Sequence, residues 1–203
     1  LELYIQTVTQ RKNCAKILRL LGYKMHWYRS AKVVAHVRLV ASQDIYSNVN
    51  HAILKPYVTQ FTAGQVKYTV VGLNHSTNEI DIFSDQDTTA VYLVQGTPST
   101  EKFTKTSLIN NRYYFGSTDL DESEIILEVT DTAKSSVTCT LTDSLYLVSS
   151  SRQIYFEFNV DEYDRPYIEL ADNWADVAGT DACTFTVTFL NSSGSRGNIS
   201  ANS

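Results

Sequence analysis

Glu157 and Glu169 are the residues whose type and spacing come nearest to a catalytic pair. They fall in two runs that read as neighbouring strands, 153–160 and 167–170. Two carboxylates facing each other across a sugar are the acid and base of a glycosidase. Surface strands carry such pairs by default, so ordinary strand residues are the expectation. Two acidic groups, Asp81, Asp85, Asp87 and Asp161, Glu162, Asp164, offer the oxygens that a hard cation such as calcium wants. Neither has the D-x-D-x-D-G loop or its closing glutamate, which leaves solvated turn carboxylates. The four histidines, His26, His36, His51 and His75, show no HxxxH or HxH pairing and no cysteine at zinc spacing. Serines abound without a G-x-S-x-G elbow. The glycine-bearing run SSGSRGN at 192–198 lacks both the Walker spacing and its lysine. The sequence therefore predicts no catalytic residue, no cofactor and no metal, and points to a structural or binding protein and not an enzyme.

The composition agrees with that direction. At 203 residues, 43% hydrophobic and 19% charged, the chain has enough apolar material for a real core. A formal net charge of -5 argues against a nucleic-acid surface as the main role. No apolar run approaches the roughly 20 residues of a membrane-spanning helix, and no secretory leader is recognisable. The chain opens on LELYIQ without methionine and stops on a loop-like run, so it reads as part of a longer protein. Cys14, Cys139 and Cys183 form no paired spacing, which reads as reduced and intracellular. The Asn-x-Ser triplets at Asn74, Asn191 and Asn198 are chance matches in a chain rich in both residues.

Local organisation begins with an amphipathic N-terminal helix. Leu1, Ile5, Val8, Ala15 and Leu18 recur at helical spacing, with Cys14, Ile17 and Leu21 widening the stripe. Arg11, Lys12, Lys16 and Arg19 fill the other positions, and Gly22 supplies the stop. An aromatic turn follows, in which Trp27 and Tyr28 are too large to leave exposed cheaply. At least one should pin the helix against the β-domain or a neighbouring subunit, with Arg29 at the rim, free for a carboxylate of another chain. Val8, Ala15, Leu18, Leu21, Trp27, Tyr28 and Arg29 are thus the expected interface residues, over an assembly element spanning 1–29.

From Ser30 onward the period changes to two. Val33, Ala35, Val37 and Leu39 alternate with Val34, His36, Arg38 and Val40. Later, Ile154, Phe156, Phe158 and Val160 alternate with Tyr155, Glu157 and Asn159, and Phe185, Val187 and Phe189 oppose Thr184, Thr186 and Thr188. Between these lie short runs of Thr, Val, Tyr and Phe at intervals of about ten residues, the pattern of antiparallel β-domains. Asp119 to Ser123 reads as a turn, and Gly96-Thr97-Pro98 as a break. The fold class expected is α+β, mainly β: the helix, a main antiparallel β-domain over 30–49 and 131–203, and a smaller inserted β-subdomain over 50–130.

Several motifs now converge. The order is the helix, Leu21-Gly22-Tyr23, a turn into a strand led by Ser30-Ala31, an inserted β-region, a D-x-x-x-R-P-Y-I-x-L strand and the terminal VTFLNSSGSRGN at 187–198. This resembles the wedge proteins of contractile phage tail baseplates, the J-like family shared with related bacterial injection machines. The terminal run matches that family's V-x-Y-L-x-S-x-G-x-x-G-N strand, with Phe189 in place of the tyrosine. Val94, Gly96, Glu101 and Phe103 are similar to its V-x-G-x-x-x-x-E-x-F passage. The chain departs where the family has an F-G-D-G turn, reading Leu170-Ala171-Asp172-Asn173-Trp174. The resemblance implies a structural wedge subunit without enzymatic activity, located in the virion tail baseplate after synthesis in the host cytoplasm. It implies assembly with copies of itself and with other baseplate or tail proteins around the tail hub, a homo-oligomer within a larger hetero-assembly. The 13 tyrosines and many polar turns also suit a carbohydrate- or receptor-binding β-module of a virion.

Overall fold

The computed structural model describes residues 27–39, 51–83, 88–131, 135–145, 153–161, 163–172, 174 and 182–192. The expected helix over 1–21, with Val8, Ala15, Leu18 and Leu21, lies outside them, as do Asp85, Asp87, Glu162 and 193–198. The described residues are mainly β, in largely antiparallel sheets, as the period-two runs require. Among them no helix is long and apolar enough to cross a membrane.

The strands, in chain order, are β1 (Lys32–Val37), β2 (His51–Leu54), β3 (Gln60–Ala63), β4 (Val66–Val71), β5 (Ile80–Phe83), β6 (Thr89–Gln95), β7 (Thr97–Thr104), β8 (Arg112–Tyr114), β9 (Leu120–Thr130), β10 (Ser136–Thr138), β11 (Thr140–Leu141), β12 (Tyr155–Val160), β13 (Pro166–Leu170) and β14 (Thr184–Asn191). They form sheets ordered β1-β6-β4-β3, β10-β9-β14-β7 and β11-β12-β13-β8, with β2 and β5 paired separately. β11 and β12 run parallel; the other pairs with a defined register are antiparallel. The chain divides into two compact units. One takes Thr100–Thr118 and Ile126–Val187 with Trp27 and Tyr28; the other takes Arg29–Ser99, Asp119–Ile125 and the chain from Thr188.

In the unit that holds β1, one face of the β1-β6-β4-β3 sheet makes the core. Tyr68, Val70, Val91 and Leu93 are buried there with Leu54 and Ile82 of the β2-β5 pair. Ala35, Val37 and Leu39 add their side chains to it, as the alternation of 33–39 predicts. The β3–β4 hairpin turns through two residues, and Gly64 takes the positive φ that such a turn demands (61°).

The unit that holds β12 is organised by aromatic rings. Phe156, Phe158, Phe185 and Val187 are fully or almost fully buried, again on the predicted side of their strands. Phe103 stacks on Tyr113 (3.9 Å between centroids, 9° between planes) and on Phe185 (4.9 Å, 7°). Trp174 meets Phe185 edge-on at 5.4 Å. The β12–β13 hairpin is closed by Asp161, whose carboxylate accepts the amides of Tyr163 and Arg165 and the Arg165 guanidinium. Those bonds hold its carboxyl below the usual range against the opposing effect of burial.

One local expectation is narrowed and another corrected. The break expected at Gly96-Thr97-Pro98 falls at Gly96, between β6 and β7. Thr97 and Pro98 already belong to β7, among the described residues an outermost strand of its sheet, where a residue without an amide proton is tolerated. Asp119 to Ser123 is not a turn: Leu120 begins the eleven-residue strand β9, and Asp121 and Glu122 are buried in it. Acidic and serine residues favour turns locally, and here partners distant in sequence override that preference.

Candidate functional site

Those partners come from the segment that leads into β1. Asp121 is fully buried; one carboxylate oxygen accepts the Ser30 amide (2.8 Å), the other the amide and hydroxyl of Ser123 (2.8 and 2.7 Å). Glu122 accepts the Arg29 Nε at 2.8 Å. Glu124 accepts the Lys32 ammonium (2.6 Å) and the Tyr57 hydroxyl (2.9 Å). Three carboxylates in four residues are tolerable in a buried strand only because each is paired or hydrogen-bonded. Tyr57 sits at φ 60°, a strained conformation for a tyrosine, with its amide on the Val70 carbonyl. Burial first, and Glu124 second, push its phenol far above the ordinary range.

Glu124 also borders a cleft of about 560 Å³ in the same unit, on the sheet face opposite the core. Its floor follows from the registers. Val34 lies opposite Tyr92, and Tyr92 opposite Val71, so an apolar row crosses β1, β6 and β4. Val34 is 50% exposed and Tyr92 43%. The tight turn Leu73–His75 forms one wall, with Asn74 and His75 both at positive φ. Gly72 is obligatory at its base, because a Cβ there would fall 1.9 Å from the Ser76 carbonyl oxygen. His75 Nδ1 is buried 3.8 Å from the Glu124 carboxylate, too far for a hydrogen bond. Lys32 and Glu124 cancel each other's charge, so the cleft is an apolar floor with a nearly neutral polar rim.

Of the expected interface residues, the described ones are Trp27, Tyr28 and Arg29. Trp27 is half-buried and donates its indole N–H to the Thr118 carbonyl at 3.0 Å; Tyr28 meets it edge-on and is exposed. The Arg29 Nε, expected at a rim and free for another chain, is engaged by Glu122 of its own chain. Trp27 is thus a tether and not a deeply packed anchor. Trp27→Phe is expected to cost about 1 kcal/mol, the worth of the lost hydrogen bond, measured by urea unfolding. A cost above about 3 kcal/mol would mean a fully packed ring.

The other sequence candidates are placed as follows. Glu157 and Glu169 lie directly opposite each other in the β12–β13 ladder, and Arg112 of β8 continues the row. Arg112 reaches both oxygens of Glu169 (3.1 and 3.4 Å), and Glu157 accepts the Leu145 amide at 3.3 Å. Arg112 also lies over the Tyr167 ring, Tyr167 meets Tyr114, and Arg165 lies over Tyr114 and Tyr163, forming a ladder of two arginines and three tyrosines. His51 stacks on Phe83 and contacts Asp81 at 2.6 Å; His36 is exposed on β1. Among the described residues no His, Cys, Asp or Glu cluster of three or more is arranged to hold a metal. What sequence reasoning missed is the set Tyr57, Asp121, Glu122 and Glu124. Its one visible signal is the basic R-S-A-K at 29–32 beside an acidic D-L-D-E-S-E at 119–124.

Comparison of the sequence with protein-family models gives no match. Comparison with curated proteins gives none either.

Proposed function

We propose that the chain is a structural subunit of a contractile phage tail baseplate, a wedge component that assembles with copies of itself and with other baseplate proteins around the tail hub. One observation carries the reading beyond the motifs themselves: the two passages similar to the wedge family lie against each other. β7 and β14 are sheet neighbours. Gly96, at φ 140°, is backed so closely on β14 that a Cβ would fall 2.8 Å from the Asn191 carbonyl oxygen. Phe103 of the first passage also stacks on Phe185, two residues before the second, and Glu101 accepts the hydroxyl of Tyr113 on β8 at 2.8 Å. The close approach of Gly96 to Asn191 gives one residue of each passage a common physical task, which is what supports the reading. Under it the chain is not an enzyme, and it resides in the virion.

The test is assembly. Co-expressed with other baseplate proteins, the chain should sediment in a hetero-complex. Leu18→Asp should abolish that complex, because a short amphipathic helix needs a partner surface and a buried carboxylate would destroy it. The β-sheet circular dichroism should be unchanged. Complex formation at normal yield with Leu18→Asp would remove the stripe from the interface. A second reading, a carbohydrate- or receptor-binding module of the virion, is favoured by the arginine–tyrosine ladder and the Tyr92 cleft. It predicts glycan or receptor binding by the chain without tail partners.

A further inference from the structure

We infer that the Tyr92 cleft binds a neutral pyranose sugar, its ring against Tyr92 and its hydroxyls on Lys32, Glu124 and Asn74. The inference deepens the second reading above, on which it rests, by naming the site and the class of ligand. The cleft holds about 560 Å³, within the roughly 300–1,000 Å³ of small-molecule sites. Tyr92 lies in the middle of its floor, opposite Val34 on one neighbouring strand and Val71 on the other. It is 43% exposed, so aromatic surface is open to a ligand. The face of such a ring is negative where the C–H groups on the face of a sugar are positive, and the two attract.

The rim selects among ligands. Glu124 is nine-tenths buried and held from two sides, by the Lys32 ammonium at 2.6 Å and the Tyr57 hydroxyl at 2.9 Å. A ligand thus meets a carboxylate that is already in place and costs little to order. Its oxygens keep further lone pairs, and the half-exposed Lys32 keeps further N–H donors. Asn74 stands at φ 54° on a turn that Gly72 makes possible, so the backbone fixes its place on the wall. Its side-chain amide has no hydrogen-bond partner among the described residues and offers both a donor and an acceptor. Donors and acceptors therefore stand together without net charge. A hydroxyl both donates and accepts, so adjacent hydroxyls of a sugar satisfy such a rim. A phosphate would face the Glu124 carboxylate, and a cation would find that carboxylate already neutralised by Lys32. A purely apolar ligand would strip water from Lys32 and Asn74 and return no hydrogen bond.

The experiment titrates the full chain with the methyl glycosides of glucose, galactose, mannose and N-acetylglucosamine, followed by protein NMR. At least one should bind with a dissociation constant on the order of 1 mM, shifting the amides of 32–34, 72–75 and 92–94. Cyclohexanol, a ring with a single hydroxyl, and glucuronate, a ring with a charge, should each bind about tenfold more weakly or worse. Tyr92→Ala should weaken the sugar by about tenfold, and Tyr92→Phe, which keeps the ring, should not. Asn74→Gly keeps the left-handed backbone and removes only the amide. It should weaken binding severalfold with thermal unfolding unchanged, and it decides the matter if Tyr92→Ala does not fold. Cyclohexanol binding as tightly as the glycosides overturns the inference, as does binding that neither cleft variant weakens. Binding lost with Tyr163→Ala and kept with the cleft variants would place the sugar on the arginine–tyrosine ladder, overturning this site and sustaining the second reading. No response to any of the four glycosides also overturns the inference, and the second reading falls with it only if a glycan array stays blank.

Discussion

Phe185→Ala is expected to cost about 3–5 kcal/mol, a large share of the roughly 5–15 kcal/mol that holds a domain folded. The ring is completely buried, stacks in parallel on Phe103 and takes the edge of Trp174, so its removal breaks two aromatic contacts and opens a cavity. Aromatic pairs are worth about 0.5–1.5 kcal/mol beyond the area they bury, which places the loss in the upper half of that range. Phe185→Leu keeps most of the volume and should cost about 1.5 kcal/mol. Phe83 is the contrast: it is 42% exposed and meets the His51 ring among the described aromatic contacts, so Phe83→Ala should cost about 0.5–1 kcal/mol. Urea unfolding of the three variants checks the ranking. A Phe185→Ala loss below about 1.5 kcal/mol would mean that the aromatic stack is not the centre of its unit.

The same ring shows how far the fold was legible in the sequence. Phe185, Val187 and Phe189 stand at period two against threonines, and a strand can bury only one side of such a pattern. Ile154, Phe156 and Phe158 were readable for the same reason, and so was the placement of Glu157 and Glu169 on neighbouring strands. Arg112 was not, because β8 is three residues long and its position beside β13 is a matter of long-range pairing. The acidic strand defeated local reading more thoroughly. D-L-D-E-S-E has the composition of a solvated turn, and only partners some ninety positions earlier make its burial affordable. Pro98 misled in the opposite direction, since a residue that ends a central strand is harmless on an outer one. The cleft was illegible for a further reason: its floor is a row across three strands, set by registers that no contiguous stretch encodes. The helix over 1–21 and its stripe remain a reading of the sequence alone.

Stability should fall steeply in alkali, and Cys139 should be a main cause. Its thiol is buried, and that burial, followed by the nearby Glu128 and Cys183, pushes it up to about 12 from an ordinary value of 9.0. The folded state therefore holds the proton more tightly than the unfolded chain. For a group of that kind the stabilisation is complete below the unfolded value and is withdrawn as pH rises toward the folded one. The window is pH 9 to 12, and the loss across it is on the order of 4 kcal/mol. Tyr113, pushed up to about 12 by burial and by its hydrogen bond to Glu101, works in the same direction but only above its ordinary 10.0. Between pH 9 and 10 the thiol should act before that phenol. Cys139→Ala removes the titrating group at a cost of about 1 kcal/mol for the lost packing near neutrality. The two stability curves should consequently cross near about pH 10, with the variant the more stable beyond it. Urea unfolding at half-unit intervals from pH 7 to 11 would show the crossing. Curves that stay parallel would mean that the Cys139 thiol ionises as readily in the folded protein as in the unfolded chain, and that water reaches the sulfur.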